Sequence, residues 1–204
     1  MHHPRRRSHS PTRCASQPDS RRSNAFARRT SIDCSRAFWI SSAKNWQSAA
    51  LLITDASIRR QKFPVVARAF RKRDKILKFE GGYHGMSDWA LMSMAPKNPG
   101  NFPRATPDSA GIPKSVADEM LIAAFNDPAM VESLIREHKD ELAGVIVEPF
   151  QRLLPPQPGF LQAVRKVTAE HGIPLIFDEV VTGFRFAYGG AQEYYGVTPD
   201  VCTL

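Results

Sequence analysis

Cysteine is scarce: the 204 residues hold three, Cys14, Cys34 and Cys202. No short pairing spacing joins them, which argues against a disulfide framework or a zinc site and for a reduced, intracellular setting. Long apolar runs are missing too. The longest, such as residues 49–53, fall far short of the ~20 residues that span a bilayer, so no transmembrane helix is expected. No P-loop, no Gly-x-Gly-x-x-Gly and no internal repeat is present, which removes those nucleotide-binding and solenoid readings. Acidic residues are nearly absent from the first part of the chain. Residues 1–78 carry 19 Lys and Arg against 4 Asp and Glu, a net of +15, whereas residues 79–204 carry 9 against 16, a net of −7. The overall +8 therefore averages two unlike segments. Proline, by contrast, is plentiful at 16, high for a compact fold.

What is present divides in the same way. Arg5-Arg6-Arg7, Arg21-Arg22, Arg28-Arg29 and Arg59-Arg60 lie among serines without sustained apolar periodicity. Residues 1–35 read as disordered, with too little apolar surface to offset the entropy of ordering. The short apolar pieces Phe38-Trp39-Ile40 and 49–53 read as single turns of helix at most. Order is expected from Pro64 onward, with 65–70 as the end of a helix and Lys-Ile-Leu-Lys-Phe at 75–79 as a short strand. A Gly81-Gly82-Tyr83-His84-Gly85 turn follows. Residues 86–113, rich in Pro, Gly and Asn, read as one long loop, which in a compact domain is usually functional.

The pattern then becomes regular. Residues 115–126 read as a helix with Val116, Met120, Ala123 and Ala124 on one face. Asp127 reads as an N-cap with Pro128 at the first helical position, opening a helix to about Lys139 that turns Met130, Val131, Leu134 and Ile135 inward. Gly144-Val145-Ile146-Val147 is an apolar run ending in Glu148. Residues 160–171 form an amphipathic helix with Leu161, Val164 and Val167 on its stripe and Gly172 as its stop. Pro174-Leu175-Ile176-Phe177 is a second apolar run, ending in Asp178-Glu179. Wholly apolar strands flanking a helix predict a βαβ unit, with a right-handed crossover, in a parallel sheet covered on both faces.

Glu148 and Asp178 each follow such a strand directly and so belong at the carboxyl edge of the sheet, where open α/β folds bind ligands. A partly desolvated carboxylate there needs a cation or a donor. Taken alone, each could equally cap the next turn. His138 and His171 fall at helix C-termini, where the dipole suffices to explain them.

Four motifs in order narrow the choice. Asp178-Glu179-Val180-Val181-Thr182-Gly183-Phe184-Arg185 after its apolar lead-in resembles the cofactor signature of class III aminotransferases. Phe79-Glu80-Gly81-Gly82-Tyr83-His84-Gly85 resembles that family's Tyr-His-Gly turn, residues 144–149 its central strand ending in Glu-Pro, and residues 155–161 the Pro-Pro-x-Pro-Gly-Phe-Leu that follows. The resemblance covers residues 65–204, and the Gly-Phe-Arg ending with the long loop leans towards the glutamate-1-semialdehyde aminomutase branch. It implies an α/β fold: part of the large domain of a fold-type I transferase, a mostly parallel sheet with helices on both faces. It also implies pyridoxal 5'-phosphate as cofactor, a small amino or keto substrate, and a homodimer. Asp178 would hold the pyridine nitrogen and keep the ring an electron sink. Val180 would pack on one ring face and Tyr83 on the other, with His84 as a neighbour of the cofactor or a plain turn residue. Glu148 would lie beside the ring and its hydroxyl, with a purely structural role as the alternative.

The sequence departs from the family at two points. The Schiff-base lysine would follow the segment Pro199-Asp200-Val201-Cys202-Thr203-Leu204, beyond the last residue. The phosphate-binding Ser-Gly-Thr/Ser-Glu-Ala turn, which would open a helix and bind through backbone N–H groups, is replaced by Ser57-Ile58-Arg59-Arg60-Gln61-Lys62. The chain alone is thus expected to be inactive, with residues 1–64 a basic segment unrelated to the family. A cytoplasmic location is expected. The Arg- and Ser-rich start leaves a plastid or other organelle transit peptide as an alternative. Non-specific nucleic-acid binding through the arginines is a weaker one, with no reader motif to support it.

Overall fold

The computed structural model describes residues 39–40 and 56–204, all within the unit Ser35–Leu204. The expectations for residues 1–35 and 49–53 lie outside the described residues. Strands β1 (Trp39–Ile40), β2 (Lys75–Phe79), β3 (Met120–Ala123), β4 (Leu142–Val147), β5 (Leu175–Asp178) and β6 (Val201–Thr203) form one sheet in the order β1-β6-β5-β4-β2-β3. All neighbouring pairs are parallel except β1 with β6. Among the described residues the helices are α1 (Ala56–Arg71), α2 (Lys114–Asp118), α3 (Pro128–His138), α4 (Phe160–Glu170) and α5 (Gly190–Tyr195).

Side chains alternate across the sheet and build two cores. On one face Leu77, Phe79, Val145, Val147, Leu175 and Phe177 pack against α3 and α4, where Phe79, Phe125 and Phe160 meet edge to face. On the other, Ile76, Ile146, Ile176 and Val201 pack under α1 and under Trp89, Ala90, Met92 and Ile112 of the 86–113 segment. That segment contains no regular helix or strand, as its composition predicts. The unit β4-α4-β5 stands as expected, with Val147 opposite Phe177. Asp127 caps α3 by accepting from the Met130 N–H at 2.9 Å.

Two expectations are corrected. Residues 115–126 are not one helix: α2 ends at Asp118 and Met120–Ala123 is β3, pairing with β2 with every residue buried. A four-residue apolar run satisfies helical and buried-strand patterns alike, so periodicity could not separate them. The open edge of β3 is covered by the long loop: the Ile122 N–H donates to the Pro103 carbonyl and Arg104 bridges Leu121. Likewise Trp39–Ile40 is not a helical turn but a short strand, Ile40 opposite Val201, in keeping with the strand preference of aromatic and β-branched residues.

Candidate functional site

The carboxyl ends of β2, β4, β5 and β6 converge on four of the five residues singled out from sequence. Asp178 closes β5 and is 3% exposed. One carboxylate oxygen, Oδ2, lies 2.9 Å from His84 Nδ1. The other, Oδ1, accepts from Thr203 Oγ1 at 2.9 Å. Both donors are themselves buried, so the carboxylate is held in one orientation. Glu148, immediately after β4, accepts from the Tyr83 N–H at 2.9 Å. The turn after β2 therefore reaches over two neighbouring strands at once, through Tyr83 to the end of β4 and through His84 to the end of β5.

Local sequence makes this reach possible. Gly82 sits where a Cβ would come within 3.1 Å of both His84 Nε2 and the Phe79 carbonyl, so a side chain there would press directly on the imidazole. Gln151, three residues past Glu148, donates to the Glu80 carbonyl at 2.7 Å and ties the next loop to the same turn. Trp89 lies nearly parallel to His84, at 16° and 6.1 Å between centroids. Val180 is half-buried in the turn that follows Asp178, where its N–H points back at Asp178 Oδ1 at 3.4 Å. Arg185 folds onto the carbonyls of Val180 and Val181.

Burial dominates the electrostatics. It pushes the Glu148 carboxyl up to about 7, with the Tyr83 N–H opposing and the negative charge of Asp178 adding to the rise. Burial also brings the Lys78 ammonium down to about 7, against the attraction of Asp108 and Glu148. Glu179 is raised by burial as well, but the N–H groups of Ala191 and Gln192 oppose it. That carboxylate is fully buried and tied to the start of α5, which gives it a structural task.

Residue reading missed Thr203, Lys78, Gln151 and Trp89. A lysine inside an otherwise apolar strand stands out in the sequence, but its loop partner does not, and the roles of the other three depend on long-range contacts that a linear pattern does not show. Among the described residues, no cluster of His, Cys, Asp or Glu has the grouping to hold a metal ion, and no helix is long and apolar enough to cross a membrane.

What this edge can hold follows from its charge. Two buried carboxylates stand side by side, and the nearest buried amine, Lys78, donates to the Ala90 carbonyl. A flat ring with a protonated nitrogen would meet Asp178 as a charge-assisted hydrogen bond and relieve the like-charge penalty on Glu148. These acceptors thus fit a pyridine-type cofactor.

Comparison with known proteins points the same way. Residues 50–204 match the family described as Aminotransferase class-III. Among solved structures, the chain is 42% identical to an omega-transaminase from Sphaerobacter thermophilus, over 72% of this chain and 35% of that one, with a TM-score of 0.68. It is 30% identical to a transaminase with PLP bound, over 72% and 34%, with a TM-score of 0.63. To a glutamate-1-semialdehyde-aminomutase from Pseudomonas aeruginosa PAO1 in complex with PMP it is 26% identical, over 72% and 32%, with a TM-score of 0.60. The chain spans about a third of the length of each.

Proposed function

Because this chain belongs to the class III aminotransferase family, we propose that residues 65–204 supply the cofactor-contacting part of an amino-group-transfer site that takes pyridoxal 5'-phosphate. The observation that carries this reading is the buried Asp178 carboxylate, fixed between His84 Nδ1 and Thr203 Oγ1 at the carboxyl end of β5. Asp178 would accept the pyridine N–H, aimed by His84 and Thr203. Tyr83 and Val180 would hold the ring between them. Glu148, held by the Tyr83 N–H, would take the neighbourhood of the ring hydroxyl. Once bound, the cofactor supplies an electron sink for the carbanion left when a proton leaves the substrate's α-carbon.

The amino donor and acceptor are small amino and keto compounds, and a second copy of the chain completes the assembly.

Equilibrium dialysis of pyridoxal phosphate against the purified chain tests the assignment of Asp178. Replacing Asp178→Asn removes a charged acceptor, and hydrogen bonds to charged groups are worth about 1.5–3 kcal/mol. Affinity should fall about 10- to 100-fold. Equal affinity in the two proteins would sink the assignment.

A further inference from the structure

Lys78 is the residue the site does not yet explain. It lies on β2, on the same face as Ile76, under the 86–113 segment, and is fully buried. An ammonium there carries a desolvation cost that a methionine of similar length would avoid. Its Nζ donates to the Ala90 carbonyl at 2.8 Å. The charges acting on it are Asp108 and Glu148, which favour the protonated form, and Arg152, which opposes it.

Ala90 belongs to a tight turn. Its own N–H and that of Leu91 both donate to the Ser87 carbonyl, at 2.9 and 3.0 Å, and the Met92 N–H reaches the Trp89 carbonyl. Anchoring the Ala90 carbonyl therefore anchors Trp89, the residue before it. Trp89 is almost buried, with its ring laid along the His84 imidazole. His84 in turn meets Asp178. Three contacts thus join the floor of the loop to the carboxylate at the sheet edge.

We propose that Lys78 is a positioning residue: by holding the Ser87–Ala90 turn it fixes Trp89 against His84 and so sets the hydrogen bond between His84 and Asp178. The consequence for cofactor binding rests on the reading of Asp178 given above; the relay itself does not.

The two are separated by reading His84 directly. Long-range ¹H–¹⁵N correlation of the imidazole in the full 204-residue chain, without cofactor, reports the hydrogen bonding of Nδ1. In Lys78→Met the Nδ1 resonance should move. In Lys78→Gln, which keeps an N–H donor for Ala90, it should stay near wild type. Trp89→Leu breaks the relay one step further on and should move the same resonance, with the double variant no worse than Trp89→Leu alone, the signature of a shared path.

Unchanged His84 signals in a folded Lys78→Met chain would overturn the proposal, as would additive effects in the double variant. If Lys78→Met does not fold, an unchanged Nδ1 signal in Trp89→Leu overturns it equally. Pyridoxal phosphate affinity should fall about 3- to 10-fold in Lys78→Met, corresponding to one hydrogen bond of ordinary strength. A moved resonance with unaltered affinity would leave the relay standing and remove the cofactor reading of Asp178.

Discussion

Asp178 draws on two donors of different kinds, an imidazole that can carry charge and a hydroxyl that cannot. The hydroxyl can be removed without changing side-chain shape, since Thr203→Val replaces it by a methyl group. One carboxylate oxygen then loses its buried partner, at a net cost of about 0.5–1.5 kcal/mol. Part of that cost should appear as pyridoxal phosphate affinity lowered about 2- to 10-fold, with Thr203→Ser restoring it. An unchanged affinity would mean that Thr203 serves only the strand. Asp178 was legible in the sequence because it ends an apolar run within a four-part motif. Thr203 was not, because its role depends on β6 lying beside β5, and strand order is set by long-range pairing that a linear pattern does not encode. Lys78 was hidden in the same way: Lys-Ile-Leu-Lys-Phe shows a strand, but not the loop carbonyl waiting above its fourth residue.

Elements whose ends carry punctuation were read well. Asp127-Pro128 opened α3 and Gly172 closed α4, each through a local backbone requirement that one sequence states openly. The failure at residues 115–126 came where no punctuation separates α2 from β3. The two readings still differ in where they put Ile122. As a helix, that segment would carry Ile122 on the face opposite Val116 and Met120, where serine is nearly neutral. As a strand it pairs with Lys78 and is fully buried. Ile122→Ser should therefore lower stability by about 3–5 kcal/mol, from lost burial, a cavity and an unpaired hydroxyl. Urea unfolding followed by circular dichroism measures this, and a loss below about 1 kcal/mol would restore the helix.

Over the whole molecule, the unusual groups at this sheet edge combine into a dependence of stability on pH. Glu148 has a folded-state value of about 7, raised from 4.5, so between those values the folded state binds more protons than the unfolded one. Stability from this group is present at low pH and is lost as pH rises through that window. Glu179, also raised, acts in the same direction. Lys78 behaves oppositely. Its folded value of about 7 lies below the ordinary 10.5, so above pH 7 the unfolded chain binds more protons and stability rises with pH. Cys202, raised from 9.0 to about 11 by burial, begins to oppose that gain only near pH 9. The contributions therefore pass through a minimum near neutral pH, with arms on the order of a few kcal/mol. Urea midpoints at pH 5, 7 and 9 should be lowest at 7. Glu148→Gln should flatten the acid arm and Lys78→Met the alkaline one. A single slope across the range, shared by both variants, would mean that neither group is desolvated as the geometry requires. A cofactor cation bound at Asp178 should favour ionised Glu148, end the acid arm sooner and move the minimum to lower pH. The same titration repeated with pyridoxal phosphate would then report occupancy of the site without any turnover.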